Sequence, residues 1–152
     1  MSAMGALLAD ENILLDVDRA GRTGLFHAVG ELFERRYALP ADKVAASLDA
    51  RERIGSTGLG QGVAIPHARI KGLERAIAAF VRTRVPIAFG APDDKPVSDF
   101  LVLLVPAQAT DLHLQILADV ATRFDDRNFR ERLRACTEAA AARALFADWV
   151  PA

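Results

Sequence analysis

The feature that most constrains this chain is the apolar run Phe100-Leu-Val-Leu-Leu-Val-Pro-Ala107. It falls far short of the ~20 residues a membrane helix requires. It has the length of a strand buried on both faces. Such a strand has to be covered on each side, so the chain must supply other strands and helices to enclose it. Val97–Val105 is read as the central strand and Ala76–Thr83 as a second full strand. Val63–His67 is a short extended piece, because Pro66 holds Ile65 out of helical geometry. Pro86–Phe89 is a short edge strand.

Helices lie at both ends. In Thr23–Tyr37, residues Leu25, Phe26, Val29, Leu32 and Phe33 form one buried stripe, with Thr23 as N-cap. Pro40 opens a second helix that ends near Ile54–Gly55. Its inner face carries Val44 and Leu48, and Arg51 falls near that face at the C-terminal end. The last third is read as three helices. Asp111–Phe124 is capped by Thr110, the next starts at Asn128 with Glu131 completing a capping box, and the last covers Thr137–Trp149. Residues 1–12 read as a loose tail before a single domain over 13–152. The pattern is α/β, a sheet with helices packed on it.

Composition removes several function classes. With 19 Lys+Arg against 20 Asp+Glu the net charge is −1, so the basic surplus of a nucleic-acid binder is missing. Cys136 is the one cysteine, so no intrachain disulfide can form, and a reduced, cytoplasmic setting fits. No charged leader precedes an apolar stretch, and no membrane insertion is expected. His27, His67 and His113 are too widely spaced for a helical zinc pair, and there is no Cys-x-x-Cys, so no metal is expected. Asp93-Asp94 and Asp125-Asp126 sit in turn-like settings and read as solvated.

The segment Gly55-Ser-Thr-Gly-Leu-Gly-Gln-Gly62 carries four glycines in eight residues and reads as irregular backbone. It fits neither a Walker loop nor G-x-G-x-x-G. Glycines there let backbone N–H groups approach an anion, with Ser56, Thr57, Gly58 and Gly60 as candidate phosphate-loop residues. The loop leads through a rigid proline to His67. At pH 7 roughly three quarters of a free imidazole is neutral and nucleophilic. From the residues alone, His67 is either an ordinary histidine or a phosphoryl acceptor. His113 lies on the inward face of its helix, in the first turn. It is either a core histidine or a donor to phosphate. Arg51 is either a solvated helix-end arginine or a guanidinium clamp on phosphate oxygens. His27 falls off its helix's apolar stripe and reads as exposed, and Cys136 reads as packing.

Arg51-Glu52 followed by Gly55-Ser-Thr-Gly-Leu-Gly-Gln-Gly-Val-Ala-Ile-Pro-His67 resembles the phosphorylation motif of the IIA proteins of the bacterial phosphoenolpyruvate-dependent phosphotransferase system. The resemblance is to the fructose/mannitol type, and most closely to its nitrogen-regulatory branch. Pro86-Ile-Ala-Phe89, Pro96-Val97, Leu103-Leu-Val-Pro106 and His113-Leu114 extend it over nearly all of the chain after about residue 12. It implies a mixed central sheet of about five strands flanked by helices on both faces. It implies that His67 accepts phosphate from an HPr-like carrier, with Arg51 and His113 binding the phosphoryl group and no cofactor required. The chain would then be a transferase-like phosphocarrier that reports nitrogen, carbon or potassium status to regulatory target proteins. The alternatives are a sugar-specific IIA component serving a membrane permease, or a docking module that is never phosphorylated. Two positions depart from the family pattern. Ala68 stands where most relatives have Gly, and Gln115 where many carry a second histidine.

Overall fold

A computed structural model describes residues 3–108 and 111–149. Helix α1 (Ala3–Leu7) and a 3-10 turn at Asp10–Asn12 lead into β1 (Ile13–Val17). The helix pair α2 (Gly21–Tyr37) and α3 (Ala41–Ile54) follows. Next come β2 (Gly58–Gly60), β3 (Val63–Ala64), β4 (His67–Ile70), β5 (Ile77–Ile87) and β6 (Val97–Pro106). The chain closes with α4 (Asp111–Asp125), α5 (Arg127–Ala135) and α6 (Ala139–Asp148).

The six strands form one mixed sheet, in the order β1-β5-β6-β3-β2, with β4 also paired to β6. As the apolar run requires, β6 is central, and Val97 and Asp99–Val105 are buried. It runs antiparallel to β5 and parallel to both β3 and β4. Alternation along the strands divides the core in two. Phe100, Val102 and Leu104 face α2 and α3, where Leu25, Val29, Phe33, Val44 and Leu48 cover them. Leu101, Leu103 and Val105 face α4–α6, where Ile116, Val120, Phe124, Phe129 and Phe146 cover them. Helices therefore cover both faces. None of the described helices is long and apolar enough to cross a membrane.

Several elements differ from the sequence reading, each for a local reason. Residues 3–12 are not loose: Met4 and Leu8 are buried, and Arg143 donates from Nε to the Leu8 carbonyl (2.7 Å) and from Nη2 to that of Gly5 (2.9 Å). Helix α2 begins at Gly21 after Ala20, without a side-chain cap, and Thr23 is exposed inside it. The glycine segment is partly regular, since β2 pairs antiparallel with β3 through a turn in which Gly60, Gln61 and Gly62 all have positive φ. Val63–His67 divides into β3 and β4 at Pro66. Pro86-Ile87 ends β5 beyond a register shift, where Ile87 still pairs with Val97. The N-cap of α5 is Asp126, which accepts from the Phe129 N–H at 2.9 Å, while Glu131 pairs with Arg127. Helix α6 starts at Ala139 rather than Thr137. Thr110, the expected cap of α4, lies outside the described residues.

Two packing constraints are sharp enough to test. Asp99 is 1% exposed and takes the Arg82 Nε–H at 2.9 Å. The same guanidinium donates to the carbonyls of Leu133 and Cys136, tying the end of α5 to the sheet. Arg82→Met strands a buried carboxylate and is expected to cost about 3–5 kcal/mol in urea unfolding. Gly30 lies where α2 meets the start of α3, and a Cβ there would stand 2.5 Å from the Ala41 carbonyl oxygen. Gly30→Ala is expected to push the helices apart and lower the unfolding free energy by about 1–3 kcal/mol.

Candidate functional site

Pro66 has no N–H, so the strand that would run from β3 into β4 cannot keep a continuous ladder across it. Both halves still lie against β6, and the Leu103 N–H reaches the Pro66 carbonyl at 2.9 Å. The next residue, His67, opens β4 opposite Leu103. Ala68 and Ile70 point into the α2–α3 layer and Leu103 into the α4–α6 layer. Alternation then puts the His67 side chain on the α4 side of the sheet. It is half-buried.

The His67 ring is oriented by one bond, 2.8 Å from Nδ1 to the Ile65 carbonyl oxygen. A carbonyl can only accept, so Nδ1 carries the proton. In a neutral imidazole that leaves Nε2 as the nitrogen with the free lone pair. A bare nucleophilic nitrogen is what in-line attack on a phosphorus atom requires.

His113 is half-buried in the first turn of α4. Because Ile116, Val120 and Phe124 carry α4 onto the same sheet face, the two histidines lie on the same side of the sheet. The α4 N-terminus adds a positive dipole end there. Arg51 comes from the other layer. It sits half-buried in the last turn of α3 and donates from Nη1 to the Gly55 carbonyl at 2.8 Å, fixing the entry to the glycine segment.

That segment is internally bonded. Ser56 donates from Oγ to the Phe89 carbonyl (2.7 Å) and accepts from the Gly58 N–H (3.0 Å). Thr57 donates from both N and Oγ1 to the Glu52 carboxylate, each at 2.7 Å. Gly60 has φ +87°, and Asp93 receives the Gln61 N–H at 2.9 Å and the Lys95 N–H at 3.1 Å. Those donors, led by Gln61, hold the Asp93 carboxyl below the usual carboxylate range. Arg134 closes the hairpin from the far side by donating to the Gln61 carbonyl. His27 is exposed on α2, in a cleft it lines with Asp42, Asp49 and Arg53 of α3, and Cys136 is half-buried beside the α5–α6 layer. Among the described residues no group of three or more His, Cys, Asp or Glu side chains could hold a metal ion.

Two groups escape the sequence reading, the Ile65 carbonyl and the Glu52 side chain. A backbone acceptor leaves no mark in a sequence. Glu52 does leave one: it is the third position of the buried series Val44, Leu48, Glu52, spaced by four, and it is 5% exposed. A carboxylate on an apolar stripe signals a fixed partner inside.

Comparison with known proteins gives one consistent result. Residues 6–149 match the family described as phosphoenolpyruvate-dependent sugar phosphotransferase system, EIIA 2. A nitrogen regulatory protein of Pseudomonas aeruginosa is 34% identical over 149 residues, covering 97% of each chain. One from Escherichia coli is 43% identical over 108 residues, covering 70% of this chain and 66% of the relative. The crystal structure of nitrogen regulatory protein IIA-Ntr from Neisseria meningitidis matches with a TM-score of 0.90 and 45% identity, covering 95% of this chain and 99% of that one. Escherichia coli IIA mannitol, at 24% identity and a TM-score of 0.73, shares the fold. With the match running from α1 to the end of α6, the chain belongs to the EIIA 2 family of the phosphoenolpyruvate-dependent phosphotransferase system, in its nitrogen-regulatory branch.

Proposed function

We propose that this protein is a cytoplasmic phosphocarrier that accepts a phosphoryl group on His67 Nε2 from a histidine-phosphorylated, HPr-like carrier and signals through protein–protein contacts. The observation that carries the reading is the 2.8 Å bond from His67 Nδ1 to the Ile65 carbonyl, on a half-exposed ring at the end of a glycine segment. In the step, the Nε2 lone pair forms a bond to phosphorus while the bond from phosphorus to the donor's ring nitrogen breaks. The donor imidazole leaves with that electron pair. The acceptor's proton stays on Nδ1, and the Ile65 carbonyl stabilises the positive charge that grows on the ring. No proton has to move on this side of the transfer.

A loose phosphoryl transition state depends on positioning and charge neutralisation. Arg51 supplies a guanidinium, His113 an imidazole, and the α4 N-terminus a dipole. Ser56, Thr57, Gly58 and Gly60 shape the mouth in which the phosphate sits. Their bonds to Phe89, Glu52 and one another keep that mouth rigid.

The surface supports docking by a protein donor. Ile54, Leu59, Leu112 and Leu114 are large apolar residues left exposed, Ile54 by 84%. They lie at the end of α3, on β2 and either side of His113. Leu112 and Leu114 put exposed apolar surface beside His113, which suits a protein-binding face. A phosphate arriving there brings a charge of about −1.5 to −2, enough to repel one partner or to recruit an arginine from another. The names of the relatives support nitrogen status as the signal, and carbon and potassium status belong to the same proposal without that support. Which targets read the phosphate is a matter of that surface.

Incubating the protein with phosphoenolpyruvate and the upstream carriers should place acid-labile label on the native chain and none on His67→Ala. Equal labelling of the two rejects His67 as acceptor. Arg51→Ala is expected to slow transfer about tenfold or more. Its unfolding free energy should move by less than about 1 kcal/mol, since it ends a helix at the surface. An unchanged transfer rate removes Arg51 from the clamp.

A further inference from the structure

We infer that Glu52 is a positioning residue for His67, acting through a hydrogen-bonded chain that joins the interior of α3 to the imidazole. The inference rests on the phosphocarrier reading for its consequence in rate, but its geometry stands independently.

The chain can be followed atom by atom. The Glu52 carboxylate, almost wholly buried, accepts from Thr57 twice, at Oε2 from the backbone N–H and at Oε1 from the hydroxyl. Thr57 is itself buried, and its carbonyl oxygen accepts the Ile65 N–H at 3.1 Å. The Ile65 carbonyl accepts the His67 Nδ1–H at 2.8 Å. Three links thus connect a charged group on α3 to the ring nitrogen that must hold a proton. Both donors that Thr57 can offer to Glu52 are used, so the residue has little freedom to rotate. Charge-assisted bonds of this kind are short and roughly twice as strong as neutral ones.

The geometry also explains why a carboxylate stands in an apolar stripe. Residues 55–57 must leave α3 and reach the sheet edge within a few residues, before β2 begins at Gly58. The first backbone N–H that turns inward there is Thr57's, and it has no strand partner. Glu52 supplies the acceptor that a side chain of alanine or leucine would withhold. The acceptor fixes Thr57, Thr57 fixes the height of Ile65, and Ile65 selects the Nδ1–H tautomer. A histidine whose carbonyl partner drifts can place its proton on Nε2 instead, and a protonated Nε2 has no lone pair for phosphorus.

The test compares full-length native protein with Glu52→Ala, Glu52→Gln and Thr57→Val. Two readouts are taken. The first is the 15N spectrum of the His67 ring, which separates a proton-bearing Nδ1 from a proton-bearing Nε2 without any phosphate present. The second is single-turnover phosphorylation by the phosphorylated carrier, resolved into maximal rate and half-saturating donor concentration. In Glu52→Ala, the Nδ1–H signature should give way to a mixture of tautomers, and the maximal rate should fall about tenfold or more, as for loss of one positioning bond in the transition state. The half-saturating concentration should hold, because the docking surface is untouched.

Glu52→Gln can still accept the Thr57 N–H and donate to its hydroxyl, so it should restore the native spectrum and most of the rate. A purely structural role for Glu52 would lower stability and leave the tautomer of the folded fraction unchanged. If Glu52→Ala does not fold, Thr57→Val carries the test. It keeps the side chain's shape, removes one of the two Thr57–Glu52 hydrogen bonds, and is expected to shift the same two readouts by a smaller factor. A native tautomer and native maximal rate in the folded variant overturn the inference. If instead the spectra change as expected but label never reaches His67 in the native chain, the phosphocarrier reading fails and the positioning chain stands.

Discussion

Pro66 interrupts the sheet where interruption has most effect. A proline has no ladder donor, so the parallel pairing to β6 stops at the end of β3 and resumes at β4. The carbonyl before the break is then available to a side chain two residues on. This gives a ring held by backbone rather than by another side chain, at the rim of a core whose central strand is otherwise fully enclosed. The helices on both faces, the hairpin of β2 and β3, and the buried Glu52 all serve to hold that rim in place.

The two sheet faces contribute differently. The α4–α6 layer is aromatic, with Phe80, Phe124, Phe129 and Phe146 packed ring against ring. It carries the start of α4 and, with it, His113. The α2–α3 layer packs Phe26, Phe89 and Phe100 edge to face on the opposite side and delivers Arg51 and Glu52 from one helix end. These two adjacent residues separate by burial: the arginine stays at the surface and the glutamate goes inside. Each of these side chains is anchored in its own half of the core, so the site proposed for them would draw on both layers.

Much of this was legible in the sequence, and the limits are physical. The run Phe100–Ala107 specified a central strand because eight apolar residues in a row have nowhere else to go. The stripes of α2 and α3 were legible because their period is set by the helix itself. Composition marks the glycine segment as irregular and cannot reveal that Gly58–Gly60 finds a partner in Val63–Ala64. Helix starts drifted where tertiary contacts or a different residue supplied the cap, as at Asp126. Nothing in the local sequence marks the N-terminal residues as anchored. Their order comes from Arg143, more than a hundred residues away in sequence. At the site, the histidines and Arg51 announce themselves by type, whereas the Ile65 carbonyl is chemically silent until the backbone is folded.

Under the proposed phosphorylation, the proton that Ile65 keeps on the imidazole has a second meaning. A ring that retains it can depart as a neutral molecule, whereas one without it would have to leave as an anion. The same carbonyl that readies the nitrogen to receive would therefore ready the product to give. A residue tuned in this way is suited to passing its cargo onward rather than storing it.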